Sequence, residues 1–172
     1  LERVAGLNLF LLLCRQAEEK SLKIFFLGST EEILMAIKRR LTKDYPRIQL
    51  AGLLAPPFRS LSLQEEAELI KRINASGAEL VFVSFGCPKQ EKWMLRNKNK
   101  IKAVMVGVGG AFSVFAGKQK RAPLWMQKNG LEWLYRLIKE PRRLLMRYLV
   151  TNMYFIWLIT AETLGLLKTS QD

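Results

Sequence analysis

Apolar positions along this chain follow two rhythms: short unbroken runs, and longer stretches in which they recur every three or four residues. Positions 9, 10, 12, 13 and 17 are apolar and charges gather at the end, which predicts a helix over Asn8–Lys20. "KIFFLGST" (23–30) predicts a short buried strand running into a turn. Glu31–Lys43 follows as a helix with carboxylates in its first turn and bases later, matching the helix dipole. "IQLAGLL" (48–54) is a second strand and "APPFRS" a proline-stiffened loop. Ser62 is the expected cap of a helix reaching about Ala75, with Glu65 three residues on completing a capping box. "ELVFVSFG" (79–86) is continuously apolar, as a strand covered on both faces must be. Pro88–Arg96 is the next helix, and "AVMVGVGGAF" (103–112) a fourth strand entering a glycine turn.

Strands alternating with helices predict an α/β, Rossmann-like domain: a largely parallel sheet flanked by helices. After Lys118 the pattern changes to successive helices broken at Gly130 and Pro141. The expected division is therefore 1–118 as the α/β domain and 119–172 as a C-terminal helical appendage. Ligands of such sheets sit where strands finish. Three of the four predicted strand ends carry glycine: Gly28, Gly86, and Gly107 with Gly109 and Gly110.

Composition narrows the chemistry. There are 172 residues with a 49% hydrophobic fraction, enough for one domain with a real core. The chain has no histidine and only two aspartates, Asp44 and Asp172, so a His-bearing zinc site and a Ser-His-Asp triad are both excluded within it. No Asp-x-Asp pair is present to hold a cation on a diphosphate. Cys14 and Cys87 match no disulfide or metal spacing, and a reducing compartment is the expectation. The formal net charge is +13 and lopsided: residues 1–88 hold 12 Lys+Arg against 10 Asp+Glu, and residues 89–172 hold 16 against 5. The second half is suited to an anionic partner, whether phosphate, nucleic acid or an acidic membrane face. The chain opens "LERVAGLNLF" without a methionine, which suggests the remainder of a longer protein, and no secretory leader is expected.

The stretch "FVSFGCPKQEKWM" (82–94) carries a specific possibility. A strand that turns through Gly86 into a helix aims backbone N–H groups at the crevice, and such a helix start attracts anions. Lys89 adds a charge, Gln90 adds donors and an acceptor, and Glu91 can accept from sugar hydroxyls. An ordinary turn with a solvated charged face explains the same residues. "GVGGAF" supplies a second backbone-exposing turn, although Phe112 replaces the last glycine of a dinucleotide fingerprint and the turn follows the wrong strand for one. A glycine turn made for close packing is again the alternative. Both turns together suggest a phosphate-bearing small molecule neutralised by Lys and Arg.

"GCPKQEKWM", then "GVGGAFSVFAGKQKRAPLWMQKNGLEWLYRLIKEPRRLLMRYL", resembles the WecG/TagA/CpsF family of bacterial glycosyltransferases. The family pattern G-x-P-K-Q-E, G-V-G-x-x-F-x-x-x-A-G, R-A-P, G-L-E-W-x-x-R-L and E-P-R-R appears here in order, and "RVAG" (3–6) and Leu27-Gly28 also match. The resemblance implies transfer of N-acetylmannosamine or a related sugar from a UDP-sugar to a polyprenyl-diphosphate-linked acceptor, with inversion, no metal and no cofactor. It also implies work at the cytoplasmic membrane face in teichoic acid, common-antigen or capsule synthesis. Carried over residue by residue, Gln90 and Glu91 are the signature polar pair with Lys89 beside them, and Arg3 lies at the pocket rim. Gly28, Ser29 and Thr30 form one nucleotide-side loop, and Gly107 to Gly110 the other. Catalytic roles are expected for Gln90 and Arg3. Three departures stand out: Ser29-Thr30-Glu31 where the family often has a further glycine and proline, Ser113 where many members have Asp, and no upstream Asp-Gly, whose Asp is the family's expected base. The chain alone is therefore expected to turn over negligibly.

In the appendage, Arg136, Lys139, Arg143 and Arg147 recur at helical spacing. Arg136, Arg142, Arg143 and Arg147, with Arg121 of "RAP", are the candidates for a diphosphate. "MYFIWLITA" (153–161) is short of the roughly 18–20 apolar residues of a spanning helix. The expectation is a helix lying in the interface of an anionic membrane, each basic residue contributing on the order of 1 kcal/mol. Packing on the α/β domain or in a homo-oligomer is the alternative. A basic nucleic-acid-binding α/β module is a rival reading, opposed by tryptophans that sit among leucines rather than basic residues. An NAD-type oxidoreductase is disfavoured by the misplaced glycines.

Overall fold

The computed structural model describes residues 5–163, except the side chains of Arg143, Arg147 and Tyr148. The chain divides between Lys120 and Arg121 into two compact units.

The first unit begins with α1 (Gly6–Glu19), β1 (Lys23–Gly28), α2 (Glu31–Asp44) and β2 (Gln49–Leu54). It continues through α3 (Leu63–Ala75), β3 (Leu80–Ser84), α4 (Lys89–Asn97), β4 (Val104–Gly107) and α5 (Ala111–Phe115). The four strands pair in parallel in the order β2-β1-β3-β4. Side chains alternate across a strand, so even and odd positions serve opposite layers. Ile24, Phe26 and Phe82 face α1, α2 and α5, whereas Phe25, Leu27, Val81 and Val83 face α3 and α4. Phe10 of α1 is fully buried, with ring centroids 4.9 Å from Phe82 and 5.0 Å from Phe115. Arg40 ties α2 to α5 by donating to the Phe115 carbonyl at 2.9 Å with its guanidinium over that ring.

The predicted capping box forms: the Glu65 amide donates to Ser62 Oγ at 3.2 Å, and the Ser62 amide to Glu65 Oε2 at 2.8 Å. Thr30 caps α2 by accepting from the Ile33 amide at 3.3 Å. Two expectations shift. Pro88 is the cap of α4 rather than its first residue, and the Cys87–Pro88 bond is cis. Ala111 and Phe112, read as the end of the fourth strand and its turn, open α5; a single helical turn is too short for a period to show.

The second unit holds α6 (Leu124–Lys128), α7 (Glu132–Lys139) and α8 (Pro141–Thr163), broken at Gly130 and Pro141 as the sequence predicts. Pro141 opens α8, where its missing N–H is not needed. The short apolar run lies within a longer helix. α8 continues unbroken for 23 residues, and Leu144–Thr163 is long and apolar enough to cross a bilayer by length and composition.

Candidate functional site

The strand order creates the site. β1 is followed by α2 on one face of the sheet and β3 by α4 on the other, so strands are added outward in opposite directions from the β1–β3 pair. A crevice at the carboxyl ends of the strands is expected there. Gly28, Gly86 and Gly107 to Gly110 all lie along that edge.

The three turns are tied to one another. The Ser29 amide donates to the Ser84 carbonyl at 3.1 Å, and the Ser84 hydroxyl to the Gly109 carbonyl at 2.8 Å. Gly28 is required by space as well as by backbone, since at φ +105° an added Cβ would lie 2.5 Å from the Ser84 carbonyl oxygen. Gly86 has φ +78° but open space around it. The amides of Gly86, Cys87, Gly109 and Gly110 donate to no acceptor among the described residues, whereas those of Ser29 and Gln90 are used by the carbonyls of Ser84 and Gly86.

Gln90 is 6% exposed, although it lies one residue into α4 from exposed Lys89. Its Nε2 donates to Glu91 Oε1 at 2.8 Å, which draws the predicted polar pair into one unit. Its Oε1 is buried without a partner. A Cβ added at Gly107 would meet Gln90 Nε2 at 2.9 Å, and one at Gly109 would meet Oε1 at 3.7 Å. The glycines of the second turn therefore leave room for this side chain. An unpaired buried carbonyl costs about 1–3 kcal/mol, and a hydroxyl or N–H of a bound molecule would offset it.

The structure thus brings together Gly28, Ser29, Gly86, Lys89, Gln90, Glu91, Gly107, Gly109 and Gly110. Thr30 stands beside them with its hydroxyl oxygen occupied by the α2 cap. Arg3 and the side chains of Arg143 and Arg147 lie outside the described residues. In the second unit, Arg142 is exposed at the start of α8. Arg121 and Arg136 are held by Glu132, with Arg121 Nε 3.9 Å and Arg136 Nη2 3.2 Å from its Oε1. A buried carboxylate between two guanidinium groups lowers the positive charge this cluster offers an anion. The sequence reading missed Glu132, for which the i,i+4 spacing to Arg136 was the available signal, and Ser84, a hydroxyl where an apolar strand ends.

A cavity of about 570 Å³ opens elsewhere, at the end of β2, lined by Leu34, Leu54, Pro56, Glu31, Glu68 and Arg72 among others. Its acidic bias does not suit a diphosphate.

The model of the "Glycosyl transferase WecG/TagA/CpsF family" matches residues 1–169. The chain belongs to the WecG/TagA/CpsF family. Among its relatives is the N-acetylglucosaminyldiphosphoundecaprenol N-acetyl-beta-D-mannosaminyltransferase of Bacillus subtilis (strain 168), 36% identical over 142 residues, 82% of this chain and 54% of the relative. The protein of the same name from Staphylococcus aureus (strain MW2) is 35% identical over 143 residues, 83% of this chain and 54% of the relative. The chain therefore spans about half the length of these relatives.

Proposed function

We propose that this chain is the donor-binding part of a glycosyltransferase. The enzyme moves N-acetylmannosamine or a closely related sugar from a UDP-sugar to a polyprenyl-diphosphate-linked saccharide in cell-surface polysaccharide or teichoic acid synthesis. The names of its relatives support the sugar and the acceptor. The observation that carries the reading is the edge where β1, β3 and β4 end, with unpaired amides at Gly86, Cys87, Gly109 and Gly110 and the unpartnered Gln90 Oε1 in their midst.

In this reading the diphosphate lies against those amides, with Lys89 neutralising charge in place of a metal. Gln90 and Glu91 hold sugar or ribose hydroxyls. The leaving UDP is stabilised by the backbone while the acceptor hydroxyl attacks the anomeric carbon from the opposite face, which inverts it. The transfer takes place at the cytoplasmic face of an anionic membrane. The attacking hydroxyl loses its proton to water as the new bond forms, so turnover by this chain alone is expected to be slow.

UDP binding in the presence of EDTA tests the reading. At ten times its dissociation constant, UDP would stabilise the fold by about 1.4 kcal/mol and raise Tm by roughly 3–5 °C. Gln90→Ala should reduce that shift. No shift with UDP, a shift that EDTA abolishes, or stabilisation by oligonucleotides instead would overturn the proposal.

A further inference from the structure

The glycine turns at the ends of β3 and β4 are joined at a single point. The two strands keep register as far as Val83 opposite Gly107, and their last main-chain bond runs from the Val108 amide to the Val83 carbonyl at 3.0 Å. Beyond it the chains part, one into the Gly86 turn and the other through Gly109 and Gly110 into α5. Among the described residues, one hydrogen bond crosses that gap: the Ser84 hydroxyl donates to the Gly109 carbonyl at 2.8 Å. Ser84 holds the Ser29 turn through its carbonyl, which any residue could do, and the Gly109 turn through its side chain alone.

The Gly109 carbonyl shares a planar unit with the Gly110 amide, and in a trans peptide the two point in opposite directions. Cys87–Pro88 is the only cis bond among the described residues, so this unit is trans. Turning it over changes only ψ of Gly109 and φ of Gly110, and neither residue has a Cβ to forbid the rotation. Gly109 already sits at φ +47°, and a Cβ added at Gly110 would meet nothing within 4 Å. The flipped unit would present a carbonyl where an N–H now stands, and a carbonyl oxygen repels an anion. Gln90 Oε1, buried and unpartnered, stands 3.7 Å from the position of a Gly109 Cβ, so this peptide borders the pocket itself.

We propose that Ser84 is a positioning residue of the donor site. Its hydroxyl fixes the Gly109–Gly110 peptide so that the Gly110 N–H is held out to a phosphoryl oxygen. The role rests on the donor-binding reading above, and Ser84 itself touches no substrate.

The test is calorimetric titration of the full chain with UDP in EDTA, comparing the native chain with Ser84→Ala and Ser84→Thr. Loss of one hydrogen bond to a charged group should weaken UDP binding roughly tenfold in Ser84→Ala. Ser84→Thr keeps the hydroxyl and should restore it. In a chain carrying isotopically labelled glycine, the Gly110 amide resonance should move on adding UDP to the native chain and to Ser84→Thr, and stay in place in Ser84→Ala. A general loosening of the fold would not single out that amide. Equal UDP affinity in all three chains, equal weakening in both variants, or a Gly110 resonance that responds in Ser84→Ala would overturn the role of Ser84 and leave the donor reading standing. Failure of the native chain to bind UDP would overturn the donor reading, and this role with it.

Discussion

Gly28→Ala is the sharpest perturbation of the site, and its companion Gly86→Ala separates the two costs. Both glycines have positive φ, at +105° and +78°. Alanine at such angles costs on the order of 1–2 kcal/mol. Gly86 has nothing within 4 Å of an added Cβ, so Gly86→Ala should lose that amount and little more. At Gly28 the new Cβ would lie 2.5 Å from the Ser84 carbonyl oxygen and 2.8 Å from its carbon. These are backbone atoms of the neighbouring strand and cannot swing aside. Relief requires β1 and β3 to part at their ends, which sacrifices the Ser29–Ser84 hydrogen bond, worth about 1 kcal/mol. The expected loss for Gly28→Ala is thus roughly 2–4 kcal/mol, at least 1 kcal/mol beyond Gly86→Ala. Urea unfolding followed by circular dichroism, with unchanged slopes, measures both. Equal losses for the two variants would refute the claim that close strand approach, rather than turn geometry alone, dictates Gly28.

Two further outcomes follow from ionisable groups. Burial pushes the Cys14 thiol up to about 12, whereas Cys87 is exposed. Ellman's reagent at pH 8 should titrate one thiol in the folded chain and two in denaturant; two fast thiols without denaturant would contradict the packing of α1. The Arg59 guanidinium and the Ser62 backbone amide hold the Glu65 carboxyl down to about 2, below the usual value of about 4.3. Its contribution is complete above the unfolded value and is lost as pH falls from about 4.5 towards 2. The unfolding midpoint of the native chain should therefore drop more across that window than that of Glu65→Gln, and parallel curves would count against the clamp.

Much of this architecture was legible from periodicity because its causes are local. The capping box at Ser62 and Glu65, and the strand ends at Gly28, Gly86 and Gly107, follow from short-range backbone chemistry. Membership of the family was legible from the ordered motifs between Gly86 and Leu149. What escaped depends on contacts between distant residues. Nothing in "LVFVS" indicates that the Ser84 hydroxyl would reach Gly109, because that contact exists only once β3 and β4 pair. Burial of Gln90 inside a polar run depends on Gly107 having no side chain. The full length of α8 was not legible from the apolar run alone, because Arg147 and Asn152 interrupt the apolar letters without interrupting the helix.

The link from Ser29 through Ser84 to Gly109 has a wider implication. It is made of main-chain carbonyls and amides plus a single hydroxyl, so three successive loops are locked in step without any bulky group. A holder built this way is blind to most side-chain drift. A change of cargo preference would then be sought outside this link, at a flanking position such as Ser113.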